Sequence, residues 1–222
     1  MRFQIVDENE PEHEHECFEM RYPLTTNPIF WTIQGEGHLR GFQMCFVRLA
    51  GCSVGCDHCD TDYRKNEFAT EEEIAVRADE ITPKNARDRW VWVTGGEPTD
   101  HDLMPLIRAL RAKRFSVALA SSGHRRVIPP VDWLSISPHD PAKWMQTYGN
   151  EVKLVPGLNG FSIEDFRSAH PDDQTDFMYR YVQPLSIQKR EDPVSLRTCL
   201  DFVRANPNWA LSRQDHHYWG VA

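Results

Sequence analysis

Met44-Cys45-Phe46-Val47-Arg48-Leu49-Ala50-Gly51-Cys52-Ser53-Val54-Gly55-Cys56-Asp57-His58-Cys59 is a short β-rich run, Met44–Leu49, followed at once by three cysteines spaced C-x3-C-x2-C. Gly51 and Gly55 permit a tight loop in which three thiolates converge. Three is one short of the four ligands that close a structural zinc or iron–sulfur site. A cluster held this way leaves one iron open to a ligand that is not protein. A zinc module would need His58 as fourth ligand. His58 adjoins Cys59 and would have to fold back sharply, and there is no second C-x2-C pair.

Outward from this loop the hydrophobic period alternates between two and 3.6. Further β-rich runs fall at Trp90–Thr94, Phe115–Ala120, Val131–Ile136, Glu151–Val155, Phe177–Val182 and Trp209–Ser212. Helical patterns lie between several of them. Thr70-Glu71-Glu72-Glu73 predicts a capping box opening a helix to about Ile81. Asp102 to Lys113 carries Leu103, Leu106, Ile107 and Leu110 at helical spacing. Ser162–Asp165 predicts a helix start, and Asp192-Pro193 another, with Leu196, Cys199, Leu200 and Val203 on one face. Strands alternating with helices imply an α/β fold with a mainly parallel sheet. Six or seven strands are too few for eight barrel units, so the expected architecture is a partial, open TIM-like barrel of about six parallel strands with helices outside. Its chemistry belongs at the carboxyl ends of the strands.

Trp90-Val91-Trp92-Val93-Thr94-Gly95-Gly96-Glu97-Pro98 is a strand ending in Gly-Gly-Glu-Pro. Paired glycines let a ligand approach the backbone, and Glu97 is an acceptor for an ammonium. Phe30-Trp31-Thr32-Ile33-Gln34-Gly35-Glu36-Gly37 reads as a strand and then a glycine turn displaying Gln34 and Glu36.

The chain has 222 residues, enough for one substantial core. Its formal net charge of −8 argues against a non-specific nucleic-acid or membrane-surface binder. No apolar run approaches a spanning helix and no signal pattern opens the chain, so a cytoplasmic location is expected. Six cysteines in a reducing compartment, three of them within eight residues, point to metal or redox chemistry rather than disulfides. Glu8–Glu19 is acidic and poor in apolar residues; residues 1–27 read as an N-terminal arm and lead-in, and 28–222 as the core domain. His13 and His15 in that arm lack further ligands, and Cys17 lies beside them. Cys45 in a strand and Cys199 on an apolar helix face read as small hydrophobes.

Taken together, the cysteine triplet and Gly95-Gly96-Glu97-Pro98 resemble the radical S-adenosylmethionine superfamily. Gln34-Gly35-Glu36-Gly37, Phe46–Cys52, Cys59-Asp60-Thr61 and the run Leu211–Ala222 resemble, in order, the 7-carboxy-7-deazaguanine synthase family. The resemblance implies a 4Fe–4S cluster on Cys52, Cys56 and Cys59, with S-adenosylmethionine chelated to the open iron. It implies cofactor contacts at His58, Cys59 and Asp60, at Gly95, Gly96, Glu97 and Ser122, at Ser137, Pro138 and His139, and at Gln183 and Pro184. It implies substrate contacts at Ile33, Gln34, Gly35 and Glu36, at Arg48 with the substrate carboxylate, and at Thr94, His216 and the terminal carboxylate of Ala222. Thr61 matches a Mg2+ ligand.

The implied reaction is ring contraction of 6-carboxy-5,6,7,8-tetrahydropterin to 7-carboxy-7-deazaguanine with loss of ammonia, begun by a 5′-deoxyadenosyl radical. No side chain is assigned as an acid or base. The implied partners are the small pterin substrate, an electron donor such as flavodoxin or ferredoxin, and a second copy in a homodimer, with no nucleic acid and no membrane. A glycyl-radical activase shares the cysteine spacing but should lack Gln-Gly-Glu-Gly and the closing histidine segment. Three departures stand out. Ala120-Ser121-Ser122-Gly123 replaces Glu-Thr-Ser-Gly, Ser137-Pro138-His139 replaces Ser-Pro-Lys, and His216-His217 replaces His-Lys.

Overall fold

The structure is a computed structural model that describes residues 21–57, 59, 62–127 and 130–221. Strands β1 (Arg21–Ile33) and β2 (Gln43–Leu49) pair antiparallel, and the short β3 (Glu67–Thr70) pairs antiparallel with the start of β1. From β2 onward the sheet is parallel and advances in chain order. The strands are β4 (Trp90–Gly95), β5 (Ser116–Ser121), β6 (Trp133–Ile136), β7 (Tyr148–Leu154), β8 (Asp176–Val182) and, past a small hairpin of β9 (Ser186–Ile187) and β10 (Arg190–Glu191), β11 (Ala210–Leu211). The nine-stranded order is β11-β8-β7-β6-β5-β4-β2-β1-β3. β3 and β11 stay at opposite edges, so the barrel is open, as expected.

Alternation within each parallel strand builds the two faces. Val47 and Leu49 on β2, Val91 and Val93 on β4, and Val117 and Leu119 on β5 join one buried core. The helices cover that face. Helix α1 (Glu71–Ile81) contributes Ile74 and Ala78, α2 (Met104–Ala112) contributes Leu106, Ile107 and Leu110, α3 (Ile163–Ala169) Phe166, and α4 (Pro193–Ala205) Cys199. The opposite residues, Phe46 and Arg48, Trp92 and Thr94, turn into the cleft, in register across β2 and β4. A short α5 (His216–Trp219) follows β11.

Helix starts follow the capping residues. Thr70 accepts from the Glu73 N–H while the Glu73 side chain accepts from the Thr70 N–H, and Ser162 and Asp165 repeat the box. Asp192 caps α4 with Pro193 behind it. Helix α2 begins two residues after the expected Asp102, because Asp102 turns its carboxylate onto the Met104 N–H.

β1 starts at Arg21, so residues 21–27 belong to the sheet rather than to a lead-in. Tyr22 and Leu24 are fully buried there, and the Tyr22 hydroxyl donates to the Asp102 carbonyl at 2.6 Å. Two prolines, a left-handed Asn27 (φ 49°) and a register shift between Leu24 and Ile29 break the period that would have marked this strand. The acidic run, with His13, His15 and Cys17, lies outside the described residues. No helix among the described residues is long and apolar enough to cross a membrane.

Candidate active site

The carboxyl ends of the parallel strands open onto one cavity of about 280 Å3. The cysteine loop forms one wall. It leaves β2 at Ala50, is closed at its base by the Gly51 N–H donating to the Tyr63 carbonyl, and brings Cys52, Cys56 and Cys59 to the cavity. Burial pushes the Cys56 thiol up to about 11, with Cys59 and Cys52 adding to the rise, and His139 Nδ1 lies 2.9 Å from its sulfur. Asn159, itself left-handed, holds the far side by accepting from the Asp57 N–H and donating to the His139 carbonyl.

The β4 end is laced to this loop. The Gly96 N–H donates to the Leu49 carbonyl at 2.8 Å and the Glu97 N–H to the Gly51 carbonyl at 3.0 Å. A Cβ on Gly96 would overlap the Gly51 carbonyl oxygen, so only glycine permits this approach.

Glu97 is 2% exposed. Its Oε1 accepts from the Thr99 N–H, the Thr99 hydroxyl and the Ser121 hydroxyl, and its Oε2 from the Ser122 N–H and hydroxyl, all within 2.7–3.0 Å. Burial alone would raise its carboxyl. The His124 side chain and these donors hold it down to about 2. The expected free acceptor for an ammonium is therefore a carboxylate whose lone pairs are already taken. An incoming ammonium would have to share or displace one of those bonds. Ser121, which stands where the family pattern has threonine, and Ser122, which keeps its serine, are two of its partners.

The remaining walls come from both edges of the fold. Ile33, Gln34, Gly35 and Glu36 line the cavity from the end of β1, Arg48 from β2 and Thr94 from β4. Arg48 stacks over the Phe30 ring at 4.7 Å. Ser122, Ser137 and His139 line it from the ends of β5 and β6, Gln183 and Pro184 from the end of β8, and His216 from α5. Pro138 is not among the lining residues. His58, Asp60, Thr61 and Ala222 lie outside the described residues.

Sequence reasoning missed Phe46, Trp92, Tyr63, Lys153 and Gln214 on these walls. Phe46 and Trp92 could have been found from the strand period, as the cleft-side neighbours of Val47 and Val93. Lys153 had a fainter signal, a cation between the apolar Val152 and Leu154 of a strand.

The donor set fits a cluster with an open iron. Three cysteines line one cavity, and the other two described cysteines, Cys45 and Cys199, are buried in the core. Among the described residues no three His, Cys, Asp or Glu side chains converge closely enough to hold a single ion. The strand ends beside the cysteines are glycine, so a cofactor can lie against bare backbone. This is the architecture of the radical S-adenosylmethionine enzymes.

Comparison with known proteins narrows the class. The chain is 30% identical to the 7-carboxy-7-deazaguanine synthase of Burkholderia multivorans, covering 87% of this chain and 96% of that one. It is 32% identical to that of Caulobacter vibrioides with the same coverage, and 30% identical to that of Escherichia coli, covering 91% and 100%. The crystal structure of QueE from Escherichia coli superposes with a TM-score of 0.66 at 28% identity, covering 87% of this chain and 94% of that one. No protein-family model matches. The chain belongs to the 7-carboxy-7-deazaguanine synthase family.

Proposed function

We propose that this chain converts 6-carboxy-5,6,7,8-tetrahydropterin to 7-carboxy-7-deazaguanine with loss of ammonia, in 7-deazapurine biosynthesis. The observation that carries this reading is the continuity of one cavity, in a chain of this family, from the three cysteines to Gln34, Arg48 and His216. Cys52, Cys56 and Cys59 would hold the cluster, which with bound S-adenosylmethionine would supply the radical chemistry that starts the reaction. The chain's own residues bind and orient. The Arg48 guanidinium is the bidentate partner for the substrate carboxylate. Gln34, whose Oε1 accepts from the Glu36 N–H at 3.1 Å, keeps its amide donors for the pterin edge. Phe46 and Trp92 close the floor and exclude water. The contribution is orientation and electrostatics rather than acid–base chemistry.

Finer features of the reading are a Mg2+ requirement with Thr61 as ligand, a flavodoxin- or ferredoxin-like electron donor, a homodimer and a cytoplasmic location. The test is anaerobic reconstitution with iron and sulfide, reduction, and addition of S-adenosylmethionine with the carboxy-tetrahydropterin, with and without Mg2+. Deazaguanine product is the expected result. 5′-Deoxyadenosine without that product removes the substrate assignment, and absence of an iron–sulfur chromophore removes the cluster.

A further inference from the structure

Strand β7 carries two ionisable residues on its cleft side, Glu151 at 1% exposure and Lys153 at 5%. Charges buried in a sheet are costly unless paired. Both are paired with one loop, the connection between β1 and β2. Glu151 Oε2 accepts the His38 backbone N–H at 2.8 Å. Lys153 Nζ donates to Glu36 Oε2 at 2.5 Å. The other oxygen of Glu36 accepts from the Gln214 side-chain amide at 2.9 Å. One carboxylate thus joins three segments far apart in sequence.

Around it the same two loops are stitched together. The Asp215 N–H donates to the Gly35 carbonyl at 3.1 Å and the Gly37 N–H to the Ser212 hydroxyl at 3.0 Å. Arg40 forms an ion pair with Asp215. Gly35 lies so close under His216 that a Cβ there would be 2.5 Å from His216 Nδ1. The place of His216 on the cavity wall is therefore set by the loop that carries Gln34 and Glu36.

We propose that Lys153 is a positioning residue for the substrate wall: its ammonium fixes Glu36, Glu36 holds Gln214, and Gln214 keeps His216 against the cavity. This rests on the proposed reaction and extends it to a residue that belongs to none of the motifs read from the sequence. Without the ammonium, Glu36 loses the strongest of the groups that favour its charge, keeping the Gln214 amide and the weaker influence of His216, and is driven toward its protonated form. The Glu36–Gln214 bond, one of the anchors of segment 212–217, is then weakened.

The test compares wild type with Lys153→Met, Lys153→Arg and the double variant Lys153→Met/Glu36→Gln. Hydrogen exchange of the chain without ligands is read first. Amides of 212–217 should lose protection in Lys153→Met while those of β5 and β6 keep it. Lys153→Arg should restore protection, and the double variant should recover part of it, because a glutamine at 36 needs no counter-charge. In the reconstituted enzyme, KM for the carboxy-tetrahydropterin should rise about tenfold in Lys153→Met with kcat changed less than about threefold. Wild-type exchange at 212–217 in Lys153→Met overturns the proposal, as does a double variant no better than the sum of its single changes. A direct contact between Lys153 and substrate would raise KM without altering exchange, and that result also overturns it. If wild type forms no deazaguanine product, the reaction assignment fails, and the exchange data still decide the role of Lys153.

Discussion

Ser53, between Cys52 and Cys56, is held to Asp100 by two hydrogen bonds of 2.7 Å, its N–H donating to Oδ2 and its hydroxyl to Oδ1. Asp100 ends the 3-10 turn Pro98–Asp100 that follows Gly95-Gly96-Glu97. His124 Nε2 completes the clasp, 3.1 Å from the Ser53 hydroxyl and 3.4 Å from Asp100 Oδ1. The loop that presents the cysteines is thus fixed from outside the cysteine segment. Asp100→Ala removes both bonds and should cost about 1–3 kcal/mol of stability. Its larger effect should be on the loop. Iron and sulfide bound per chain after anaerobic reconstitution should fall well below wild type while far-ultraviolet circular dichroism is unchanged. Full iron content in this variant would show that the clasp is dispensable.

Gly95 and Gly96 give the sharpest steric expectation. Gly95 sits at φ 118° with a Cβ position that overlaps the Leu49 carbonyl, and Gly96 faces the Gly51 carbonyl and Cys52 Cβ. The two carbonyls are backbone, which cannot swing aside. Gly96→Ala should destabilise the chain by more than about 3 kcal/mol, read as a lowered urea midpoint. Gly41, whose Cβ would meet nothing within 4 Å, is the comparison. Gly41→Ala carries only the cost of its positive φ and should be milder. Equal midpoints for the two variants would show that the β4–β2 approach relaxes.

Legibility differed between elements for physical reasons. The parallel strands and helices α1, α3 and α4 were readable because each uses a local device, either alternation of buried residues or a capping side chain. That the cysteines, Gly95, Gly96, Gln34 and Arg48 would share one cavity was readable because they sit at or just past strand ends in fixed order. β1 was only half readable, since Pro23, Pro28 and Asn27 conceal its period. The saturation of Glu97 and the Glu36–Lys153 pair were invisible. Each needs partners 24 or more residues away that only the fold brings together, Ser121 and Ser122 for Glu97 beyond its neighbour Thr99, and Lys153 for Glu36.

The described cysteines divide by environment, and alkylation should reveal it. Burial pushes the Cys45 and Cys199 thiols up to about 12 and leaves both inside the core. Cys59 is exposed and Cys52 half-buried. In the metal-free native chain at pH 8, iodoacetamide should label Cys52 and Cys59 first, Cys56 more slowly, and Cys45 and Cys199 only after unfolding. Peptide mass spectrometry over a time course reads the order. Early labelling of Cys45 or Cys199 would contradict the packing.

Acid should unfold the chain through two carboxylates. Burial would raise Glu36 and Glu97, but the Lys153 ammonium holds Glu36 down to about 2, and His124 with the Ser122 donors holds Glu97 down to about 2. Both lie below the unfolded value of 4.5, so the unfolded chain binds protons first as pH falls. Their stabilisation is present above 4.5 and drains away between about 4.5 and 2. His124 has the opposite sign. The Glu97 carboxylate 3.7 Å away raises its pKa, so its contribution is lost as pH rises through that raised value. Glu36→Gln should be less stable at neutral pH and should show a shallower fall of urea midpoint between pH 4.5 and the acid limit. An unchanged slope would mean that Glu36 is not held ionised by Lys153.

Arg48 separates binding of substrate from assembly of the cluster. It lies on the cleft face of β2, in register with Thr94, while its neighbours Val47 and Leu49 face the core. Its guanidinium lies over the Phe30 ring at 4.7 Å, on the cleft side of the strand. Arg48→Ala should therefore keep the iron–sulfur chromophore and S-adenosylmethionine binding. It should forfeit a charge-assisted pair of about 1.5–3 kcal/mol, a rise of roughly 10- to 150-fold in KM for the carboxy-tetrahydropterin. Arg48→Lys keeps the charge but not the planar fork and should fall between. The discriminating substrate is the pterin lacking its 6-carboxylate. Wild type and Arg48→Ala should bind it equally weakly if Arg48 pairs with that group, because neither can form the pair. A further loss in Arg48→Ala on the decarboxylated pterin would place the guanidinium on the ring instead.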